Sequence, residues 1–190
     1  MMTEVNHGDR NGWLTVALEC TREFKEKHGS FQATMARELG SLLKLQSLDL
    51  HVCSTANVVV LADVLKSNKT VKKLNLCDSD IDDACAGDLA DALKSNTTLT
   101  ELNLSLNCIR DTGAGNLADV LKSNKSLTEL NLRNNDIRDT GAATLADALK
   151  SNTTLTWLYL SGNGISNDGL ASLKRTLESN KKLTVDLFSL

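Results

Sequence analysis

The sequence contains no proline, and only 3% of its 190 residues are aromatic. Without proline there is no rigid linker, and turns must be built from Gly, Asn, Asp and Ser. The shortage of aromatics calls for a core of Leu, Ala, Ile and Val. Histidine is scarce as well, with His7, His28 and His51 the only three. No long apolar run occurs, and the opening "MMTEVNHGDRNG" is not a basic segment followed by an apolar one. Neither a signal peptide nor a membrane span is therefore expected. The net charge of −3, with both signs interspersed, gives no basic footprint for nucleic acid. A cytoplasmic protein with no nucleic-acid and no membrane partner is expected.

Catalytic signatures are missing too. There is no Walker, Rossmann or H-E-x-x-H pattern. His51 and Cys53 stand two apart on a strand-like stretch, but no third group completes a nucleophile with an oriented base. Asp78, Asp80, Asp82 and Asp83 are spaced like the start of a calcium loop, yet the sixth and twelfth places hold Asp83 and Leu89 instead of Gly and Glu. The run reads better as an acidic turn capping a helix that begins near Asp83. Cys20, Cys53, Cys77, Cys85 and Cys108 are odd in number and lack metal-ligand spacing. Buried, inert thiols in a reducing compartment are expected. No catalytic residue, cofactor or metal is expected.

Repetition is what the sequence has in abundance. "LADALKSNTTLT" occurs at 89–100 and again at 145–156, and "LADVLKSN" at 61–68 and again at 117–124. The copies thus start at positions 61, 89, 117 and 145, a constant period of 28. A fixed period of this size means that one supersecondary unit is being stacked. Aligned by that period, "VKKLNLCDSDI" from Val71, "LTELNLSLNCI" from Leu99, "LTELNLRNNDI" from Leu127 and "LTWLYLSGNGI" from Leu155 share L-x-x-L-x-L-x-x-N-x-I. "LQSLDLHVCST" from Leu45 fits with Cys53 in the Asn place. The x-L-x-L portion alternates as a short strand does. Asn107, Asn135 and Asn163 follow it, where an amide can satisfy backbone groups of adjacent turns.

The second half of each unit has helical spacing. In "DTGAGNLADVLKSN", Ala114, Leu117, Ala118 and Leu121 form one apolar stripe, with Asp119 and Lys122 outside it. Asp111 or Thr112 is expected to cap that helix, and Asn124 to end it in a left-handed conformation. Four of the five N-x-S/T sequons, at Asn68, Asn96, Asn124 and Asn152, are this same terminator, and the fifth, at Asn103, falls on a strand. The Asp–Lys pairs, from Asp63 with Lys66 to Asp147 with Lys150, coat the outer helical face.

Units of this length reading "LxxLxLxxNxI" and then "DTGAxxLADALKSN" resemble leucine-rich repeats of the ribonuclease-inhibitor type, above all those of nucleotide-binding-domain receptors of innate immunity. The resemblance covers roughly residues 31–190. It implies an α/β fold, a right-handed solenoid in an arc or horseshoe, with parallel strands on the concave face and helices on the convex face. It also implies a non-enzymatic protein-recognition module, with sensing or signalling in innate immunity as one role. An enzyme inhibitor like ribonuclease inhibitor, a cytoskeletal role like that of tropomodulin and an activator of a small GTPase are the alternatives.

The expected organisation is a disordered tail at 1–11, a helical N-terminal cap and partial repeat at 12–44, repeats at 45–182 and a terminal strand-like segment at 183–190. Trp13, Leu14, Ala17, Leu18, Thr21 and Phe24 recur at helical spacing, which predicts an amphipathic capping helix over 12–28. At the other end Lys174 replaces a buried Ala, and Asp186 falls where the second Leu of a strand should be. An open apolar end there predicts self-association, a homodimer through Leu187, Phe188 and Leu190.

Between repeats two periods apart the framework stays and the inner face changes: Glu101 becomes Trp157, Asn103 becomes Tyr159, and Lys73 becomes Glu129. Trp157 is one of two Trp, and Tyr159 is the sole Tyr. Their presence on an exposed strand face marks a binding site for a protein partner. Arg133, Glu129, Asn131, Glu101, Asn103, Lys73, Asp49 and His51 continue it.

Overall fold

The computed structural model describes residues 5–6, 14–18, 46–52 and 55–187. Among the described residues eight strands form one sheet in sequence order: β1 (Val5–Asn6), β2 (Leu14–Leu18), β3 (Ser47–Val52), β4 (Lys73–Asn75), β5 (Glu101–Asn103), β6 (Glu129–Asn131), β7 (Trp157–Tyr159) and β8 (Thr184–Asp186). From β2 onward every pairing is parallel, and β1 runs antiparallel to β2. A helix follows each strand from β3 to β7: α1 (Thr55–Ser67), α2 (Asp83–Ser95), α3 (Asp111–Leu121), α4 (Asp139–Ser151) and α5 (Asn167–Ser179). This is the expected α/β solenoid, with strands on the concave side and helices on the convex side.

The core follows from the two periodicities. Leu74, Leu102, Leu130 and Leu158 are register partners on neighbouring strands, and all are buried. Leu76, Leu104, Leu132 and Leu160 form a second buried column, and Ile81, Ile109 and Ile137 a third. The helices supply Ala86, Leu89, Ala90 and Leu93 in α2 and their counterparts in α3 and α4. Small Ala residues on the inner stripe let each helix lie close to the sheet. A buried Leu truncated to Ala in such a core costs about 2–5 kcal/mol.

Three polar ladders join one turn to the next. Asn107 Oδ1 accepts from the backbone N–H groups of Ser79 (3.0 Å) and Ile81 (2.9 Å), and its Nδ2 donates to the carbonyl of Leu76 at 2.9 Å. Asn135 and Asn163 repeat the arrangement one turn further on. Ser79 stands in for the Asn of its own turn, with its hydroxyl on the carbonyls of Leu50 and Cys77.

The second ladder corrects the expected left-handed terminator. Asn124 is buried and outside the left-handed region. Its Nδ2 donates to the Leu93 carbonyl of the preceding turn at 2.9 Å, while its Oδ1 accepts from the N–H groups of Ser126 and Leu127. Asn96 and Asn152 do the same. The amide is used as a bridge between repeats, which a single unit could not reveal. Asn96, Asn124 and Asn152 are therefore committed to the interior.

The third ladder corrects the expected cap. Asp111 does not cap its own helix, whose N-cap is Arg110 with no side-chain hydrogen bond. Its Oδ1 accepts from the N–H groups of Arg138 (2.8 Å) and Gly141 (2.9 Å), at the start of α4. Asp83 serves α3 in the same way through Arg110 and Gly113. The glycine is required by close approach: a Cβ on Gly113 would lie 2.6 Å from Asp83 Oδ1 and 3.1 Å from its Cα. Within the acidic run, Asp82 caps α2 as expected by accepting from the N–H of Cys85 at 2.9 Å.

Both ends differ from expectation. Leu14–Leu18 is a strand, not part of a capping helix, and extends the sheet beyond β3. "LTVAL" alternates Leu14, Val16 and Leu18 with Thr15 and Ala17, and this period of two is met by edge pairing on β3. Val5–Asn6 is likewise paired, within the segment expected to be a disordered tail. The rest of 12–28 and the partial repeat up to 45 lie outside the described residues.

At the C-terminal end Trp157 pairs with Thr184, one position short of a full period, so Val185 takes the Leu place beside Leu158. Asp186 then pairs with Tyr159 in the column that faces outward. A one-residue change in register moves a side chain to the opposite face. Lys174 is exposed where Ala90, Ala118 and Ala146 are buried, as expected.

Candidate functional site

The outward side chains of β4 to β8 stand in columns. The first carries Lys73, Glu101, Glu129, Trp157 and Thr184, and the second Asn75, Asn103, Asn131, Tyr159 and Asp186. Asp49 precedes the second column on β3 and accepts from Asn75 Nδ2 at 2.9 Å. His51 lies on the same strand, and its side chain is outside the described residues. All ten expected binding residues thus belong to strands of the sheet or to the turn directly after one.

Trp157 is 44% exposed, although Leu158 beside it in β7 is fully buried. Its ring stacks on Tyr159 with centroids 5.8 Å apart and planes 14° from parallel. Arg133 reaches across from the end of β6, with its guanidinium carbon 4.5 Å from the Tyr159 ring centre. Asp186 Oδ2 holds that guanidinium through Nη2 at 2.6 Å and Nε at 2.7 Å, and also accepts from the Ser161 hydroxyl at 2.8 Å. The carboxylate fixes the arginine, the arginine covers the tyrosine, and the tyrosine supports the tryptophan. Each step removes rotamer freedom that a binding event would otherwise have to freeze.

Burial pushes the Tyr159 hydroxyl above its ordinary pKa, and the charge of Glu129 and a hydrogen bond to it push the same way, while Arg133 opposes. Lys73 and Glu101 form a separate pair at 2.8 Å. Between these groups lies a depression of about 170 Å³, lined by Asn75, Glu101, Asn103, Glu129 and Asn131 over Leu74 and Leu102.

Sequence reasoning missed Asp186 and Ser161 because the shortened last turn was not visible in a fixed period. It also missed Leu106, which is 51% exposed in the loop after β5. At the C-terminal end, Leu187 is partly buried against the core, and Phe188 and Leu190 lie outside the described residues. Among the cysteines, Cys85 is buried, Cys77 half-buried and Cys108 exposed, so the expectation of buried thiols fails at Cys108. Cys20 and Cys53 are outside the described residues. Among the described residues no group of three His, Cys, Asp or Glu side chains could hold a metal ion, and no helix is long and apolar enough to cross a membrane.

No curated protein matches the chain. The solved structure of leiomodin-1 actin-binding site 2 is similar with a TM-score of 0.65 and 26% identity, over 80% of this chain and 89% of that one. The C-terminal domain of tropomodulin from Caenorhabditis elegans gives a TM-score of 0.62 at 17% identity, over 80% and 93% of the two chains. The family model described as Leucine Rich repeat matches residues 95–118, 123–146 and 151–174. The units it matches are leucine-rich repeats, and the chain folds as a leucine-rich-repeat solenoid.

Proposed function

We propose that this chain is a non-enzymatic protein-recognition module that binds its partner through the concave strand face, with Trp157 and Tyr159 as anchors. The observation that carries the reading is the braced aromatic pair: a tryptophan 44% exposed, stacked on a tyrosine that Arg133 and Asp186 hold in place. Aromatic and arginine side chains in such settings supply most of the affinity of protein interfaces. The test is capture of the partner by the wild type, by a Trp157→Ala, Tyr159→Ala variant and by a Lys150→Ala variant of the convex face. Loss of the partner only with the aromatic variant supports the reading. Equal loss with the convex variant, or no loss with either, refutes it.

The similarity to leiomodin-1 favours actin as that partner, since the similar structure is an actin-binding site. Co-sedimentation with filamentous actin, together with binding to monomeric actin, tests this directly. No binding to either form of actin removes the cytoskeletal reading and leaves the recognition face in place. A sensing role in innate immunity, or inhibition of an enzyme as by ribonuclease inhibitor, rests on the wording of the repeats alone.

A further inference from the structure

The partner's chemistry can be narrowed, on the basis of the concave-face reading above. We propose that the concave face takes a basic side chain, Lys or Arg, from its partner, with the cation at Glu129 and the alkyl stem along the open side of Trp157. Three observations converge on this. The first is charge. Lys73 is already paired with Glu101 and Arg133 with Asp186, but Glu129, which lies between the two pairs, is in no ion pair among the described residues. Its charge raises the pKa of the neighbouring Tyr159 hydroxyl.

The second is space. The depression beside Glu129 measures about 170 Å³ and has two carboxylates and three Asn amides around a floor of Leu74 and Leu102. That is below the roughly 300–1,000 Å³ of pockets for small organic ligands. Trp157 is not among its walls, so the depression receives the cationic end among its acceptors while the stem lies outside it along Trp157.

The third is placement. Trp157 is the direct cross-strand neighbour of Glu129, so an exposed indole stands beside a carboxylate that has no cation among the described residues. A cation with an apolar stem is the group that satisfies both at once. The protein displays the same combination internally, where Arg133 lies over the Tyr159 ring with Asp186 at its end. An acidic or purely apolar side chain would leave Glu129 repelled or desolvated without a partner.

The experiment titrates the whole chain, carrying Trp13→Phe so that Trp157 is the sole indole reporter, with short capped peptides that differ only in a central Lys, Arg, norleucine or Glu. Trp157 emission and the side-chain amide signals of Asn75, Asn103 and Asn131 are followed by fluorescence and NMR. The Lys and Arg peptides are expected to bind about five- to tenfold more tightly than the norleucine peptide. Glu129→Gln, which keeps a hydrogen-bond acceptor for Tyr159, should abolish that preference while the rest of the NMR spectrum stays unchanged. Norleucine or Glu peptides binding as well as Lys and Arg, or a preference that survives Glu129→Gln, overturns the proposal and leaves the concave surface as a binding face of other chemistry. No response of Trp157 or the amides to any peptide overturns the proposal as well, and capture of a partner by the wild type but not by the Trp157→Ala, Tyr159→Ala variant would show that the binding face itself still stands.

Discussion

Arg133 and Asp186 meet across an entire intervening strand: Asp186 Oδ2 accepts from both Nε and Nη2 of a residue 53 positions earlier, with β7 lying between their strands. The contact ties the last strand to the aromatic pair and exists only because the last turn is one residue short. Replacing Asp186 by Asn should therefore loosen Arg133 from Tyr159. A double-mutant cycle with Arg133→Ala is expected to give a coupling of about 0.5–1 kcal/mol, since both side chains keep part of their solvent contact. A coupling near zero in chemical denaturation would show that the pair orients the ring without stabilising the fold.

Gly141→Ala tests the inter-repeat cap. A Cβ there would lie 2.6 Å from Asp111 Oδ1 and 3.1 Å from Asp111 Cα, so the start of α4 must move away from the preceding turn. A loss of about 1–3 kcal/mol is expected. Gly115→Ala is the control, because nothing stands within 4 Å of the added methyl. There the change should be neutral or slightly stabilising, as Ala favours a helix interior.

Leu106 has φ 56°, in the region where its counterparts are Asp78, Asn134 and Gly162. An exposed Leu in that conformation is strained and gains nothing from burial. Leu106→Asn should raise stability by about 0.5–1 kcal/mol, read as a shift of the urea midpoint. The N–H of Leu106 donates to the carbonyl of Arg133 at 3.0 Å, so the loop sits beside the candidate site.

Asp139 accepts hydrogen bonds from the hydroxyl and the N–H of Ser166, which hold its carboxyl below the ordinary pKa of 3.8. A depressed folded-state value means that this contribution to stability is present above pH 3.8 and is lost as the pH falls through the folded-state value. Asp139→Asn should flatten the acid side of the stability profile below that pH. An unchanged acid limb in thermal melts would assign acid sensitivity to other carboxylates.

Thiol labelling separates the cysteines. Burial, with a hydrogen bond to Asp82 next, pushes the Cys85 thiol up to about 11, while Cys108 is exposed. Mass-spectrometric mapping after brief alkylation at neutral pH should show Cys108 modified and Cys85 intact until denaturant is added. Early labelling of Cys85 would mean that α2 opens in the native state.

The repeat made most of the fold legible. The identical stretches at 89–100 and 145–156 establish the unit, and the switch from alternation to helical spacing within it places Leu102 on a strand and Leu117 on a helix, as the structure has them. The exposed strand column that includes Trp157 followed from the same alternation. The pattern misled where it was stretched beyond the repeats: Leu14 and Leu18 fit a helical stripe and a strand equally well, and pairing with β3 selects the strand.

By itself, the sequence determined the period, the aliphatic interior and which side chains each strand turns outward, because alternation and helical spacing are properties of consecutive residues. Only the tertiary structure decided what joins one turn to the next. Asp111 caps the helix after its own, Asn124 bridges to the turn before it, and Asp186 closes on Arg133. These partners are separated by a whole repeat or more, and local spacing carries no information about which distant backbone N–H, carbonyl or guanidinium the stacking will bring within hydrogen-bond reach.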